Sequence, residues 1–359
     1  MTLIKEQNIV KMTITNSIEK DFSISKYRTS LMGLSMIWVM LFHLPISLSF
    51  FNPIKSIGYL GVDIFLFLSS YGLYYGFKKD NFCIKKFYKK RVLRILPSYY
   101  FVLFLTFLID SIITSKFEIT VLFQKTTFLG FFFPHLHIPV FLWYIPAILI
   151  LYIIFPYIYK KRNDFKKIQY LLGMILFVFC ISFIILTYSN DYNTFNNNFL
   201  LIFIPRIIPF VLGTIWADIE TYTFYKRIKL LPLLFIGVTC LLIIHFSQNG
   251  LPIYYLKLFM LETFPFIFAI PFCFLVFIIV YEYSHTLIQK FINYAGKYSL
   301  ELYLIHESLY RYTIKIADYY HLNDYYLFPL TTIICFILAY CLNDTIKNIL
   351  TKAEYSLNV

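Results

Sequence analysis

The sequence predicts an all-α integral membrane protein, built as one bundle of about ten transmembrane helices. Hydrophobic residues make up 59% of the 359 residues and charged residues only 14%, and the mean hydropathy is +0.69. Soluble domains average about 45–50% apolar and about 25% charged residues. A soluble enzyme is therefore not expected, because too little polar surface is present to cover so large an apolar mass.

The apolar stretches each reach roughly the 20 residues that a hydrocarbon core of about 30 Å requires. They cover 29–50, 57–77, 92–113, 139–159, 168–187, 199–217, 228–247, 261–281, 298–316 and 325–343. Because these runs are continuous and do not alternate like barrel strands, we expect helices. The amphipathic stretch 117–134 is interrupted by Gln124, Lys125 and Pro134, and we interpret it as an interfacial or re-entrant segment.

The distribution of basic residues sets the orientation of this bundle. Most of the 32 Lys and Arg residues fall between spans on one side, while the other side holds only Lys55, Lys116, Lys125 and Lys257. By the positive-inside rule, both termini are cytoplasmic. We expect a cytoplasmic segment 1–28 without a signal peptide, a transmembrane domain 29–343 and a cytoplasmic tail 344–359. The formal net charge of +13 is thereby explained by topology, and nucleic-acid binding is not expected.

Ionisable side chains inside the spans indicate a polar cavity in the outer half of the bundle. At about 1.5 Å per residue, His43, Asp63 and Arg206 lie at similar depths of about 10 Å below the external surface. The first two spans are expected to be antiparallel neighbours, so that Asp63 orients His43 and raises its basicity. Alternatively, His43 is a hydrogen-bonded packing residue and Asp63 a structural partner of Arg206.

The ninth span carries four more polar candidates. Glu307 and Arg311 are spaced i,i+4 and can pair on one helix face, as a structural or a catalytic pair. Glu301 and His306 are about 140° apart around the helix and cannot both point at one spot. We expect His306 to lie deeper than the outer polar layer, nearer the middle of the membrane.

The tryptophan, tyrosine and cysteine residues say less about function than the charged residues do. Trp143 and Tyr144 open the fourth span at its external end, where an aromatic-belt role is expected. The six cysteines stand apart without a CxxC or Cys/His cluster, so neither a metal site nor a disulfide framework is expected.

A second group of cations lies at the cytoplasmic edge, before the third span. Arg91 and Arg94 are three residues apart on one helix face, where two guanidiniums can bind a phosphate or pyrophosphate in fork geometry. Alternatively, both are ordinary cytoplasmic anchors. Arg28, just below the first span, is open to the same two interpretations.

Several segments carry a family resemblance when they are taken together and in order. They are LFHL at 41–44, LGVDIFLFLS at 60–69, FYKKRVLRILP at 87–97, LWY at 142–144, Arg206 with Pro209, Phe210 and Gly213, and GKYSLELYLIH at 296–306. In this order the segments resemble the motifs of the acyltransferase 3 family of membrane acyltransferases.

The resemblance implies an O-acyltransferase, usually acetyl-transferring, that modifies carbohydrate outside the cytoplasm with acyl-CoA from within. By this resemblance, His43 is the essential histidine of the first span, and Arg91 with Arg94 binds CoA. The family commonly carries a basic residue eleven positions before that histidine. This chain has Met32 there, and the nearest basic residue is Arg28.

The two polar layers then suggest that this multi-pass protein transfers an acyl group across the bilayer. The expected location is a bacterial cytoplasmic membrane. The cytoplasmic arginines bind the CoA phosphates, and the pantetheine arm carries the thioester to the outer layer. There His43 acts as general base or is transiently acylated, and Arg206 stabilises the oxyanion. No metal is required, and the last step occurs in the bundle or through a separate partner.

Two other function classes stay open at this point. One is a translocase of a lipid-linked glycan that uses the same polar path without acyl chemistry. The other is a non-catalytic membrane interaction protein. The paired arginines together with a buried histidine favour the transferase, because a translocase has no need of a site for CoA phosphates.

Overall fold

The structure is a computed structural model that describes residues 24–129, 142–161, 202–220, 266–283 and 286–357, with a few isolated helical positions between 173 and 181. All regular secondary structure in these residues is helical. The helices are α1 (Ile24–His43), α2 (Asn52–Ser56), α3 (Gly61–Lys79), α4 (Ile84–Thr114), α5 (Ile119–Thr126), α6 (Tyr144–Lys161), α7 (Ile207–Glu220), α8 (Phe266–Tyr283), α9 (Thr286–Lys297), α10 (Ser299–Tyr320) and α11 (Asp324–Leu357). Single 3₁₀ turns cover Ser49–Phe51, Gly58–Leu60 and Ile204–Arg206.

The long apolar helices confirm the predicted class of a helical membrane protein. Three of them have the length and composition to cross a bilayer, namely Gly58–Lys79, Ile84–Thr114 and Asp324–Lys352. Helices α1, α6, α7, α8 and α10 overlap further predicted spans. The predicted spans 168–187 and 228–247 lie outside the described residues, apart from isolated positions. The count of ten and the cytoplasmic termini therefore stay predictions.

The first helix ends earlier than the predicted limit of residue 50. Helix α1 stops at His43, because the residue that precedes Pro45 is disfavoured in helical geometry. The chain then crosses to α3 through short turns, held by a hydrogen bond from Trp38 Nε1 to the Ile54 carbonyl at 2.8 Å. As a result, His43 lies in the last turn of α1 and Asp63 in the first turn of α3.

Helices α5 and α9 are short and lie between longer ones. Helix α5 occupies part of the predicted interfacial segment, and it buries none of its side chains. Helix α9 lies in a segment for which the sequence predicts only a connection between two spans. It buries Ile292, Ala295 and Gly296 and leaves Leu287 and Phe291 exposed, which is the pattern of an amphipathic helix.

Helix α1 is the element that connects the two predicted polar layers. It packs on α3, α9 and α10, while α3 packs on α7 and α10 on α11. A Cβ at Gly33 in α1 or Gly296 in α9 would overlap the backbone of the other helix, so that the two backbones are in direct contact. A hydrogen bond from Ser30 Oγ to Asn293 Oδ1 at 2.6 Å joins the same pair.

Candidate active site

A cavity of about 530 Å³ lies among α1, α3, α4, α6, α9 and α10. Its volume is within the range of ligand sites, about 300–1,000 Å³. The cations in its wall are Arg28, Lys90, Arg91, Arg94 and Lys297. The lining follows α3 from Ser69 to Val62, about 10 Å along the helix.

Arg28 is fixed against α3 by the backbone of that helix. Its Nε donates a hydrogen bond to the Leu68 carbonyl at 2.8 Å. The guanidinium lies on Gly72, where a Cβ would stand only 2.6 Å from the arginine Cζ. A glycine at this position therefore creates the space that Arg28 occupies.

Arg91 faces the same cavity and interacts electrostatically with Arg28. Its Cζ lies 5.8 Å from the Phe87 ring centroid and 6.0 Å from that of Tyr152. Within the described residues its Nε is buried and has no hydrogen-bond partner. Two neighbouring guanidiniums repel one another, so an anion bound between them would be stabilised by both.

Arg94 also lines the cavity, but its guanidinium is engaged by Glu301. Arg94 Nη1 lies 2.6 Å from Glu301 Oε1 and Nη2 3.3 Å from Oε2. Asn343 donates to Oε1 at 2.9 Å, and Glu301 is fully buried. The expectation that Arg91 and Arg94 act alike is wrong in this respect: Arg94 joins α4, α10 and α11, and Glu301 is its anchor.

The rim of the cavity holds a carboxylate that pairs with lysines. Lys90 Nζ lies 2.6 Å from Asp80 Oδ2, and Lys86 Nζ lies 3.1 Å from Oδ1. The hydrogen bond from Lys90, followed by that from Lys86, keeps the pKa of Asp80 below its usual value. Asp80 thus stays ionised at neutral pH and holds Lys90 at the rim.

His43 has a different carboxylate neighbour from the one predicted. Its Nδ1 lies 3.6 Å from Glu307 Oε2, with 27% of the His43 side chain and 20% of the Glu307 side chain exposed. The predicted pairing of His43 with Asp63 is therefore wrong. Depth along a helix places residues in one layer, but it does not say which neighbouring helix a side chain faces.

Asp63 pairs with Arg206, which was the alternative interpretation. Arg206 Nε lies 3.8 Å from Asp63 Oδ1, and both side chains are buried. Arg206 Nη1 also donates to the Ile202 carbonyl at 2.8 Å, and its Cζ lies 5.3 Å from the Trp143 ring centroid. The two charges compensate each other inside the bundle.

His306 lies against His43 and not in a separate, deeper layer. The centroids of the two rings are 5.2 Å apart and their planes are at 65°. In agreement with their spacing, His306 contacts His43 whereas Glu301 binds Arg94. Glu307 lies next to the histidine pair. Arg311 lies one turn further along α10 and interacts electrostatically with Glu307. His43, His306, Glu307 and Arg311 are called the outer cluster below.

Two tyrosines separate the cavity from the outer cluster. Tyr144 and Tyr303 both line the cavity, and their ring centroids are 5.0 Å apart. The Tyr303 ring lies 6.0 Å from that of His306. Tyr144 is buried, so its predicted place in an aromatic belt is wrong. Tyr303 was missed, although it lies one turn before both His306 and Glu307 on α10.

Together these groups can bind a phosphate-rich anion at one end and accept a proton from a hydroxyl at the other. No curated protein and no solved structure matches the chain. The acyltransferase 3 family, described as an acyltransferase domain, matches residues 31–346. Since this match extends over most of the chain and includes the outer cluster and the cavity lining from Met32 onward, the protein belongs to the acyltransferase 3 family of membrane acyltransferases.

Proposed function

We propose that the protein transfers an acyl group, most simply acetyl, from cytoplasmic acyl-CoA to a hydroxyl of a cell-surface or lipid-linked carbohydrate. The observation that carries the proposal is the continuity of the site: a cavity with cations in its wall ends one aromatic ring away from a histidine pair. Family membership supports acyl transfer. A bacterial cytoplasmic membrane is the proposed location.

The donor binds with its phosphates at the cationic part of the cavity. Arg28 and Arg91 lie close enough to interact with one another, and Lys90 and Lys297 line the same wall. Charge-assisted hydrogen bonds to phosphate are among the stronger polar contacts in proteins. Arg94 contributes a positive charge at a fixed position in the wall, because both of its Nη atoms donate hydrogen bonds to Glu301.

The pantetheine arm extends along α3 toward the tyrosines. This part of the lining combines apolar side chains, such as Phe65 and Ile148, with the polar Ser69. That mixture suits an arm of methylene and amide groups. The thioester then lies at Tyr303, next to the outer cluster.

Acyl transfer follows from the position of His43. The imidazole accepts the proton of the acceptor hydroxyl while that oxygen attacks the thioester carbonyl carbon. The carbon–sulfur bond breaks, an oxygen ester forms, and the CoA thiolate takes up the proton held by His43. In the two-step variant, a His43 nitrogen attacks the thioester carbon, the carbon–sulfur bond breaks, and the CoA thiolate takes up the proton that the imidazole loses. The acceptor hydroxyl then attacks the acyl-imidazole, the carbon–nitrogen bond breaks, and the hydroxyl proton returns to His43.

The neighbouring charges have distinct roles in this proposal. Glu307 takes the orienting role that was predicted for Asp63, because it is the carboxylate beside His43 Nδ1. Arg206 was predicted to stabilise the oxyanion, but it is already bound by Asp63 and the Ile202 carbonyl. We assign the Asp63–Arg206 pair to holding the start of α3 against the turn before α7.

The test uses membranes that contain the full chain, incubated with labelled acetyl-CoA. We expect CoA release and labelled glycan from the wild type, and loss of both in His43→Ala at unchanged membrane yield. His321→Asn is the matched control, because His321 is exposed at the end of α10, and it should retain activity. Continued acylation by His43→Ala, or glycan flipping without CoA release, would contradict the proposal.

A further inference from the structure

His306 is held in one tautomer by its own helix. Its Nδ1 lies 2.9 Å from the Leu302 carbonyl oxygen and 3.0 Å from that of Tyr303. Carbonyl oxygens only accept hydrogen bonds, so Nδ1 carries the proton. Nε2 then carries the lone pair and can only accept.

The accepting nitrogen of His306 is buried without a partner. The residue is 1% exposed, and within the described residues Nε2 has no hydrogen bond. A buried acceptor without a donor costs free energy. Most buried polar groups in native proteins have a hydrogen-bond partner, so Nε2 of His306 is a candidate functional atom.

The His43 ring lies directly beside this imidazole. The two rings meet at 5.2 Å between centroids, near an edge-to-face arrangement. The polar and titratable groups around the pair are Tyr303, Glu307, Tyr310 and Arg311 from α10 and Tyr144 from α6. Among these described groups, Glu307 lies 3.6 Å from His43 Nδ1, and the His306 ring lies against the His43 imidazole.

We propose that His306 is a positioning residue that stabilises the protonated form of His43 during acyl transfer. This inference rests on the proposed function. The proton that leaves the acceptor hydroxyl resides on His43 until the CoA thiolate takes it up. During that interval, His43 is a cation between the Glu307 carboxylate and the partial negative charge on His306 Nε2.

Two substitutions separate the two nitrogens of His306. In His306→Asn, the amide nitrogen takes the place of Nδ1 and can still donate to the carbonyls of Leu302 and Tyr303, but nothing replaces Nε2. In His306→Gln, the longer side chain brings an amide oxygen to the place of Nε2. Both variants should accumulate in the membrane, which makes them a matched pair.

The first measurement is the pH–rate profile of acyl transfer. A hydrogen bond or close contact to a charged group contributes about 1.5–3 kcal/mol, so the rate of His306→Asn should fall about 10- to 100-fold. The acidic limb of its profile should move to lower pH, because protonated His43 has lost a stabilising neighbour. His306→Gln should stay within about fivefold of the wild type, with an unchanged profile.

The second measurement does not depend on acyl transfer. Diethyl pyrocarbonate modifies neutral imidazole, and the pH midpoint of His43 modification can be followed by mass spectrometry of the intact membrane protein after digestion. We expect the midpoint to be lower by about one pH unit in His306→Asn and unchanged in His306→Gln. Equal midpoints in all three proteins would overturn the inference, even with an inactive wild type. A shifted midpoint in a protein without acyl transfer would show that His306 stabilises protonated His43, but it would refute the proposed function and with it the catalytic role of this contact.

Discussion

The Tyr303 ring lies between the cation-lined cavity and His306. It lines the cavity, and its centroid is 6.0 Å from that of His306. Tyr144 lies beside it, with the ring centroids 5.0 Å apart and the ring planes at 58°, so a donor that entered from the arginines would meet two phenol rings before it reached the histidines. In the proposed mechanism, we expect these rings to limit the size of the acyl group at the reaction centre.

Tyr303→Ala should therefore relax the selection of acyl length. A misfit of one methylene group in an apolar pocket changes discrimination by about 1–3 kcal/mol, so the ratio of butyryl to acetyl transfer should rise at least about tenfold. Tyr303→Phe keeps the ring and should keep the wild-type ratio. The ratio is measured with equal concentrations of butyryl- and acetyl-CoA, and an unchanged ratio in Tyr303→Ala would show that the ring does not limit the acyl group.

Arg91 and Arg94 should respond differently to alanine, although both line the cavity. Arg91→Ala removes a guanidinium whose Nε is unpaired in the described structure, so the KM for acyl-CoA should rise about 10- to 100-fold with little change in thermal stability. Arg94→Ala leaves the fully buried Glu301 with Asn343 as its remaining partner. Unfolding in detergent should show a loss of about 3 kcal/mol for Arg94→Ala.

The double variant Arg94→Met/Glu301→Gln tests the reason for that loss. Removal of both charges leaves no uncompensated carboxylate, so stability should recover most of the difference. If Arg94→Ala and Arg91→Ala instead change the KM equally and leave stability unchanged, the two arginines act as one phosphate clamp, as the sequence first suggested.

The sequence predicted polar layers for this site, which stay predictions in their orientation, but it did not predict the pairings that the structure shows. Hydropathy and cation counts placed His43 and Arg206 in an outer layer and Arg91 at the inner edge, because depth depends only on position along a helix. The partner of His43 depends on how α10 packs beside α1, and Glu307 is more than 260 positions away in the chain. Likewise, 207 positions separate Arg94 from Glu301, and no local pattern connects them.

One local signal was present in the sequence and was missed. Pro45 ends α1 two residues after His43, and a shorter first helix was predictable from that proline. The tautomer of His306 was not predictable, since it depends on carbonyl geometry within α10.

Asp63→Asn distinguishes the observed pairing from the predicted one. Loss of the carboxylate leaves the buried Arg206 without its counter-charge, and breaking a buried pair costs about 3–5 kcal/mol. We therefore expect a large drop in the unfolding temperature. Asp63→Asn/Arg206→Met should recover much of it. If Asp63→Asn retains stability but loses acyl transfer as completely as His43→Ala, then Asp63 acts on the histidine after all.

Gly72→Ala should weaken donor binding without a direct change to any arginine. The new Cβ would lie 2.6–2.8 Å from three atoms of the Arg28 guanidinium, so the side chain must leave its place and its hydrogen bond to the Leu68 carbonyl. Since the far end of a flexible side chain can move, the fold should tolerate the change. The KM for acyl-CoA should rise about 10-fold or more, measured at saturating acceptor.

Gly76→Ala is the matched control for this effect, one turn further along α3. A Cβ at Gly76 meets no heavy atom within 4 Å, and alanine in a helix is favoured over glycine by about 0.5–1 kcal/mol. Gly76→Ala should therefore keep the wild-type KM and unfold at the same or a slightly higher temperature. Equal KM values for Gly72→Ala and Gly76→Ala would mean that the position of Arg28 against α3 is irrelevant to the donor, and CoA binding would then depend on Arg91, Lys90 and Lys297.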